Sequence, residues 1–175
     1  GVDPIVTSSQ IVTGLQTILS RSVNITENPA VVTVGAIHGG IRHNIIPEKV
    51  EMIGTIRTFG EEQQALVHKR ITEIATNIAE SAGARAEVNI QKLYPSTVND
   101  PNLTSKMVAT LEAAAGKENV RVNPPVTGAE DFSFYQREKP GLFIGLGGMK
   151  KGGDPTKTPS HHTPDFYIDE SGFIL

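Results

Sequence analysis

Three short stretches of the sequence carry residue types that can do chemistry. Ser160-His161-His162-Thr163-Pro164 places two imidazoles side by side, and neutral histidine is the commonest protein ligand for a metal ion. Pro164 biases Thr163 toward an extended conformation, which predicts that neighbouring side chains point to opposite sides and that at most one of the two rings reaches a given ion. The same pair reads equally well as exposed or merely packed histidine. Thr127-Gly128-Ala129-Glu130-Asp131-Phe132 sets a glycine ahead of two acids and an aromatic residue. Two roles are open to it. The acids can cap a following helix and complement its dipole, or the glycine and neighbouring N–H groups can hold an anionic substrate group. The third stretch is His38-Gly39-Gly40 with Asn44 and, on the next element, Arg57. Glycines let a ligand approach closely, Asn both donates and accepts, and Arg grips a carboxylate through two parallel hydrogen bonds. A surface hairpin with an exposed Arg is the plainer alternative. Nothing in the chain resembles a Walker loop, a Rossmann fingerprint, a nucleophile elbow or an HExxH helix.

The elements that must position these groups follow from the periodicity. Asp3 followed by Pro4 is an N-cap with proline at the first helical position, and Ile11, Val12, Leu15, Ile18 and Leu19 repeat at helical spacing, which predicts a helix ending near Arg21. Residues 30–37 are rich in β-branched types and predict a well-buried strand. Residues 49–59 predict a second strand, with Val50, Met52 and Ile56 on one face and Ile53, Thr55 and Arg57 on the other. Over 61–82 the apolar set Val67, Ile71, Ile74 and Ile78 keeps one helical face, and Gly83 supplies a stop. Ala84, Ala86, Val88 and Ile90 then alternate with polar residues, the period of a half-exposed strand. The order α-β-β-α-β is that of a split βαβ or ferredoxin-like domain without its first strand. Tyr94-Pro95-Ser96-Thr97 marks a junction, so the expected domains are 1–93 and 94–175. In the second, Asp100-Pro101 repeats the cap-plus-proline device before a helix stopped by Gly116. A short strand is expected at 120–122, a loop running into a helical turn at 128–135, a buried strand at 141–147 and an exposed loop at 148–160.

Composition bounds the chemistry. With 175 residues, 38% hydrophobic, 20% charged and a net charge of −3, the chain is of ordinary globular type and long enough for one domain or two small ones. It has no Cys, which excludes disulfides, thiolate nucleophiles and Cys-type zinc sites, so any metal must be held by His, Asp or Glu. No basic stripe and no Trp argue against a nucleic-acid partner. No apolar run reaches the roughly 18 residues that a membrane span needs, and no basic-then-apolar signal opens the chain, so neither a membrane partner nor an export signal is expected. The compartment is not readable, and the cytoplasm is the default expectation. Gly1-Val2-Asp3-Pro4 opens without Met at a helix cap and residues 169–175 close as an apolar pattern begins; both are expected of a piece of a longer chain, although processing would also leave an N-terminal Gly.

Taken in order, Val31-Val32-Thr33-Val34-Gly35, Ile37-His38-Gly39-Gly40, Asn44-Ile45-Ile46-Pro47, Gly54-Thr55 with Arg57-Thr58-Phe59, Val98-Asn99-Asp100-Pro101, Gly128-Ala129-Glu130-Asp131-Phe132 and His162-Thr163-Pro164 with Phe166 resemble the aminoacylase and carboxypeptidase G family of zinc metallopeptidases. The likeness is to its amidohydrolase branch, with hippurate hydrolase, N-acyl-amino-acid deacylases and auxin-conjugate hydrolases. The resemblance implies that 1–93 is a ferredoxin-like lid, commonly a homodimerisation domain, inserted into an α/β zinc-peptidase catalytic domain of which 94–175 is the C-terminal part. It implies an N-acyl amino acid or short peptide as substrate and a divalent metal pair, zinc or manganese or cobalt, with His162 as one ligand. It implies that Asn44 and Arg57 act at the scissile carbonyl and the substrate's carboxyl end, often in the partner subunit's site, and that His38, Gly128 and Glu130 contribute to substrate binding. In such an enzyme metal polarises the carbonyl and acidifies a water that a Glu deprotonates. The family's other ligands, a Cys or Asp, His, Glu and a further His, and its general-base Glu, match positions before Gly1. One His cannot hold a metal pair, so these 175 residues alone are expected to be inactive. The alternative is a catalytically inactive, stand-alone dimerisation or interaction module.

Overall fold

A computed structural model describes residues 1–170; the apolar pattern that closes the chain lies outside them. Among the described residues the architecture is small α+β, with one two-stranded sheet and four α-helices. Two compact units divide it: residues 1–96 together with 127–129, and 97–126 together with the residues from 130 onward.

In the first unit, helix α1 (Pro4–Thr17) starts where the Asp3 carboxylate accepts from the Ile5 and Val6 amides at 2.9 and 3.3 Å, satisfying donors that the first turn leaves orphaned. It stops as an α-helix at Thr17 and continues as a π-helical turn over Ile18–Ser22, so the single helix expected to Arg21 changes its hydrogen-bond spacing in its last turn. Strands β1 (Val31–Gly39) and β2 (Val50–Arg57) pair antiparallel, with Val31 opposite Arg57 and Gly39 opposite Val50. An irregularity between Val34 and Ala36 lies beside Gly54, where a Cβ would run into the Thr33 carbonyl oxygen; glycine is required by that close approach. Helix α2 (Glu61–Ser81) follows, and Gly83 closes it at φ 72°.

Helix α1 packs on α2 and on both strands. Ile11, Leu15 and Ile18 meet Val32, Val67, Ile71 and Ala75 in one buried cluster, flanked by Val34, Met52 and Ile56 from the sheet. The helices cover one face of the hairpin and leave Ile37 and Ile53 about half exposed, at 49% and 55%. Strand β1 is therefore half-buried rather than well buried, because the sheet has a packed layer on one side only.

Residues 84–91 depart from expectation in an instructive way. Ala86, Val88 and Ile90 pack against the core as the alternation predicts, but no ladder hydrogen bonds are formed there, and the sheet is β1 with β2 alone. Alternation records only which face meets the core; a strand also needs a neighbouring backbone. The same holds at 120–122 and 141–147, and Phe143, Ile144 and Leu146 are 44%, 56% and 59% exposed, so the expected buried strand is an open extended segment.

The second unit is built around polar bonds. Helix α3 (Pro101–Ala115) is capped by Asp100, whose carboxylate accepts from the Leu103 amide at 2.7 Å, and ends at Gly116. Helix α4 (Phe132–Glu138) is short. Between them the Asn99 carboxamide pairs with the Phe143 backbone in both directions, donating to its carbonyl at 2.8 Å and accepting from its amide at 2.7 Å. Gln136 of α4 accepts from the Val98 amide at 3.0 Å and donates to Asn99 Oδ1 at 3.3 Å.

Candidate substrate-binding site

Arg57 is the last residue of β2, and its guanidinium Nη1 donates to the backbone carbonyl of Thr127. Residues 127–129 belong to the first unit, so Arg57 and Gly128 are neighbours there despite their distance in sequence. Gly128 has nothing within 4 Å of where a Cβ would stand, and its φ lies outside the left-handed region. Neither packing nor backbone conformation asks for glycine at 128, and the guanidinium bonded to the preceding residue, Thr127, has further donors to offer.

His38 and Asn44 are placed elsewhere. His38 pairs with Glu51 and Gly39 with Val50, so the loop bearing Asn44 starts at the far end of the hairpin from Arg57. Arg57 is six residue steps along β2 from Glu51, about 20 Å at roughly 3.3 Å per step. One small ligand cannot touch His38 and Arg57 of the same chain.

Glu130 lies in the second unit, and its backbone carbonyl accepts from the buried Ser133 hydroxyl at 2.6 Å. Asp131 occupies the N-cap position of α4 without a side-chain capping bond. Ser133 bonding back to Glu130 closes the turn instead, so the capping role expected of the acids is not what starts this helix. His162 sits in a turn rather than on an extended chain, with φ 67° and its ring centroid 4.7 Å from that of His161. The Thr163 hydroxyl donates to the Ser160 carbonyl at 2.7 Å and the Phe166 amide to the Thr163 carbonyl at 3.2 Å; these bonds curl the segment and bring the two imidazoles side by side, where an extended chain would have splayed them. His161 also edges an apolar cleft of about 430 Å³ lined by Leu146, Met149, Phe166 and Ile168. The preceding loop is pinned at Asp154, whose carboxyl is held below its ordinary pKa by hydrogen bonds from the Thr156 hydroxyl and amide. Among the described residues no three His, Asp or Glu side chains converge to hold a metal ion, so these residues do not by themselves form the metal centre that His162 would belong to.

Residues 5–173 match the description of Peptidase family M20/M25/M40. The chain belongs to this family. Among M20 relatives, the N-acetylcysteine deacetylase of Bacillus subtilis (strain 168) is 36% identical over 176 residues, covering 99% of this chain and 43% of the relative. A solved structure from methicillin-resistant Staphylococcus aureus, assigned as an aminohydrolase, superposes with a TM-score of 0.86 at 31% identity, over 99% of this chain and 43% of that one. A dinuclear metal-binding M20 peptidase of Bacillus subtilis superposes at 0.77, again with 31% identity and the same coverage. The chain thus spans less than half the length of these M20 relatives.

Asn99 stands in a recognisable block, Val98-Asn99-Asp100-Pro101, but Gln136 carries no periodic or motif signal, and only the fold reveals that it meets Asn99.

Proposed function

We propose that this chain supplies the lid and the C-terminal part of the catalytic domain of an M20 amidohydrolase that cleaves an N-acyl or peptide amide bond of an amino-acid substrate. The observation that carries this reading is the meeting of Arg57 with Thr127-Gly128, which puts a guanidinium beside an open glycine backbone, a combination suited to the α-carboxylate of an amino acid. Asn44 and His38, at the opposite end of the hairpin, serve the site of a second copy, so the working enzyme is a homodimer. Residues 1–93 form the lid; its ferredoxin-like sheet is completed by a further strand that pairs with 84–90, and 94–175 return to the catalytic domain. His162 is one donor to a divalent metal pair whose other ligands come from beyond these residues.

The test is the protein as its source makes it. Its intact mass is expected to exceed twice the 18.8 kDa of this chain, with bound divalent metal and chelator-sensitive release of amino acids from N-acyl amino acids. A mass of 18.8 kDa with no hydrolysis overturns the enzyme reading and leaves an interaction module.

A further inference from the structure

We propose that Arg57 is a positioning residue in addition to a binding one: its guanidinium tethers Thr127–Ala129 to the end of the hairpin and so presents Gly128. The inference deepens the carboxylate-site reading above and rests on it for its ligand, but the tether itself rests on geometry alone. Thr127, Gly128 and Ala129 are exposed and lie in no helix or strand. Among the described residues, the bond from Arg57 to the Thr127 carbonyl is the one hydrogen bond these three residues make. The chain on either side of them belongs to the second unit, whereas they belong to the first. Packing does not hold Gly128 either, since its Cβ position faces open space.

The anchor is well chosen for this task. Arg57 is paired in the β1–β2 ladder opposite Val31, so its backbone is fixed by the hairpin and its side chain starts from a rigid platform. A guanidinium has five N–H donors in a fixed fork. It can keep Nη1 on a carbonyl and still offer the remaining donors to a carboxylate, which makes the tether compatible with an occupied site.

The test is ¹⁵N relaxation of the protein as its source makes it, without ligand, in the wild type, Arg57→Ala and Arg57→Lys. In the wild type the Gly128 and Ala129 amides are expected to show order parameters near 0.85, the rigid-backbone value, falling below about 0.6 in Arg57→Ala. Arg57→Lys, which keeps one donor within reach of the carbonyl, is expected to restore most of that order. Amides of β1 and β2 serve as the control. Unchanged order at 128–129 in Arg57→Ala overturns the tether, as does an equal loss across the hairpin, which would make the effect simple fraying. Titration with N-acetylglycine then separates the two ideas: tether loss with no N-acetylglycine-induced shift at Gly128 retains the positioning role and removes the carboxylate site, while a shift at Gly128 with no change in its order does the reverse.

Discussion

The two units hold themselves together by different physics. In the first, seven buried apolar side chains among the described residues, from Ile11 to Ala75, close a core between two helices and one face of a hairpin. In the second, the fully buried residue among those described is Ser133, and order comes from the Asp100 cap and the Asn99–Gln136 carboxamide pair. Helix α3 there buries none of its residues, and the apolar run at 141–147 stays open. A unit with its own apolar core is a self-sufficient folding element, while one knitted by hydrogen bonds that are each worth about 1 kcal/mol depends on further surface to cover its apolar groups. Where the candidate site is concerned, the difference matters: Arg57 and Gly128 rest on the self-sufficient unit, and His162 on the other.

The comparison breaks most visibly at Ile18, which is 0% exposed. Ile18→Ala is expected to destabilise the first unit by about 2 to 5 kcal/mol, read as a lower denaturant midpoint by a probe on α1, with the amide spectrum of 97–126 unmoved. If both units lose structure together, they are one cooperative body and the contrast is wrong. A smaller effect, about 1 to 3 kcal/mol, is expected for Asn99→Ala, because the Phe143 amide and carbonyl lose their partner together. Its signature is loss of order at 141–143 and in α4, read by hydrogen exchange, with the first unit's midpoint unchanged.

The smallest effect sharpens the picture of the first unit's rim. Burial, and then the nearby Lys92 charge, push the His68 imidazole below its ordinary pKa of 6.5. The folded state therefore binds fewer protons at this site than the unfolded chain does. That contribution to stability is present in full above about 6.5 and is lost as the pH falls from there toward the lowered folded value. Thermal unfolding between pH 7.5 and 5.5 is expected to show a decline in Tm that is shallower in His68→Gln; parallel slopes in the two proteins would remove His68 as a cause.

Much of the fold was legible because it is set locally. Both Asp-Pro helix starts, the stops at Gly83 and Gly116, the two hairpin strands and the inward residues of 84–90 follow from capping chemistry and side-chain periodicity, which involve neighbours a few residues apart. Of the site, the ordered motif blocks pointed to the family to which the chain belongs. They could not tell that the Glu130 backbone carbonyl would accept from the Ser133 hydroxyl, nor that a turn would bring His161 against His162.

The sequence alone determined the Asp-Pro starts of α1 and α3, the glycine stops of α2 and α3, the inward residues of α1, α2 and 84–90, and what chemistry each candidate side chain could perform. The tertiary structure alone decided which of those side chains meet. Arg57 reaches Thr127 across 70 positions, Asn99 finds Phe143 across 44, His38 is carried to the opposite end of the hairpin from Arg57, and 84–90 is left without a ladder partner. The physical reason is common to all four. Caps and periodicities are written within one or two turns of chain, whereas a meeting of distant residues is fixed only when packing and strand register set the path of everything between them.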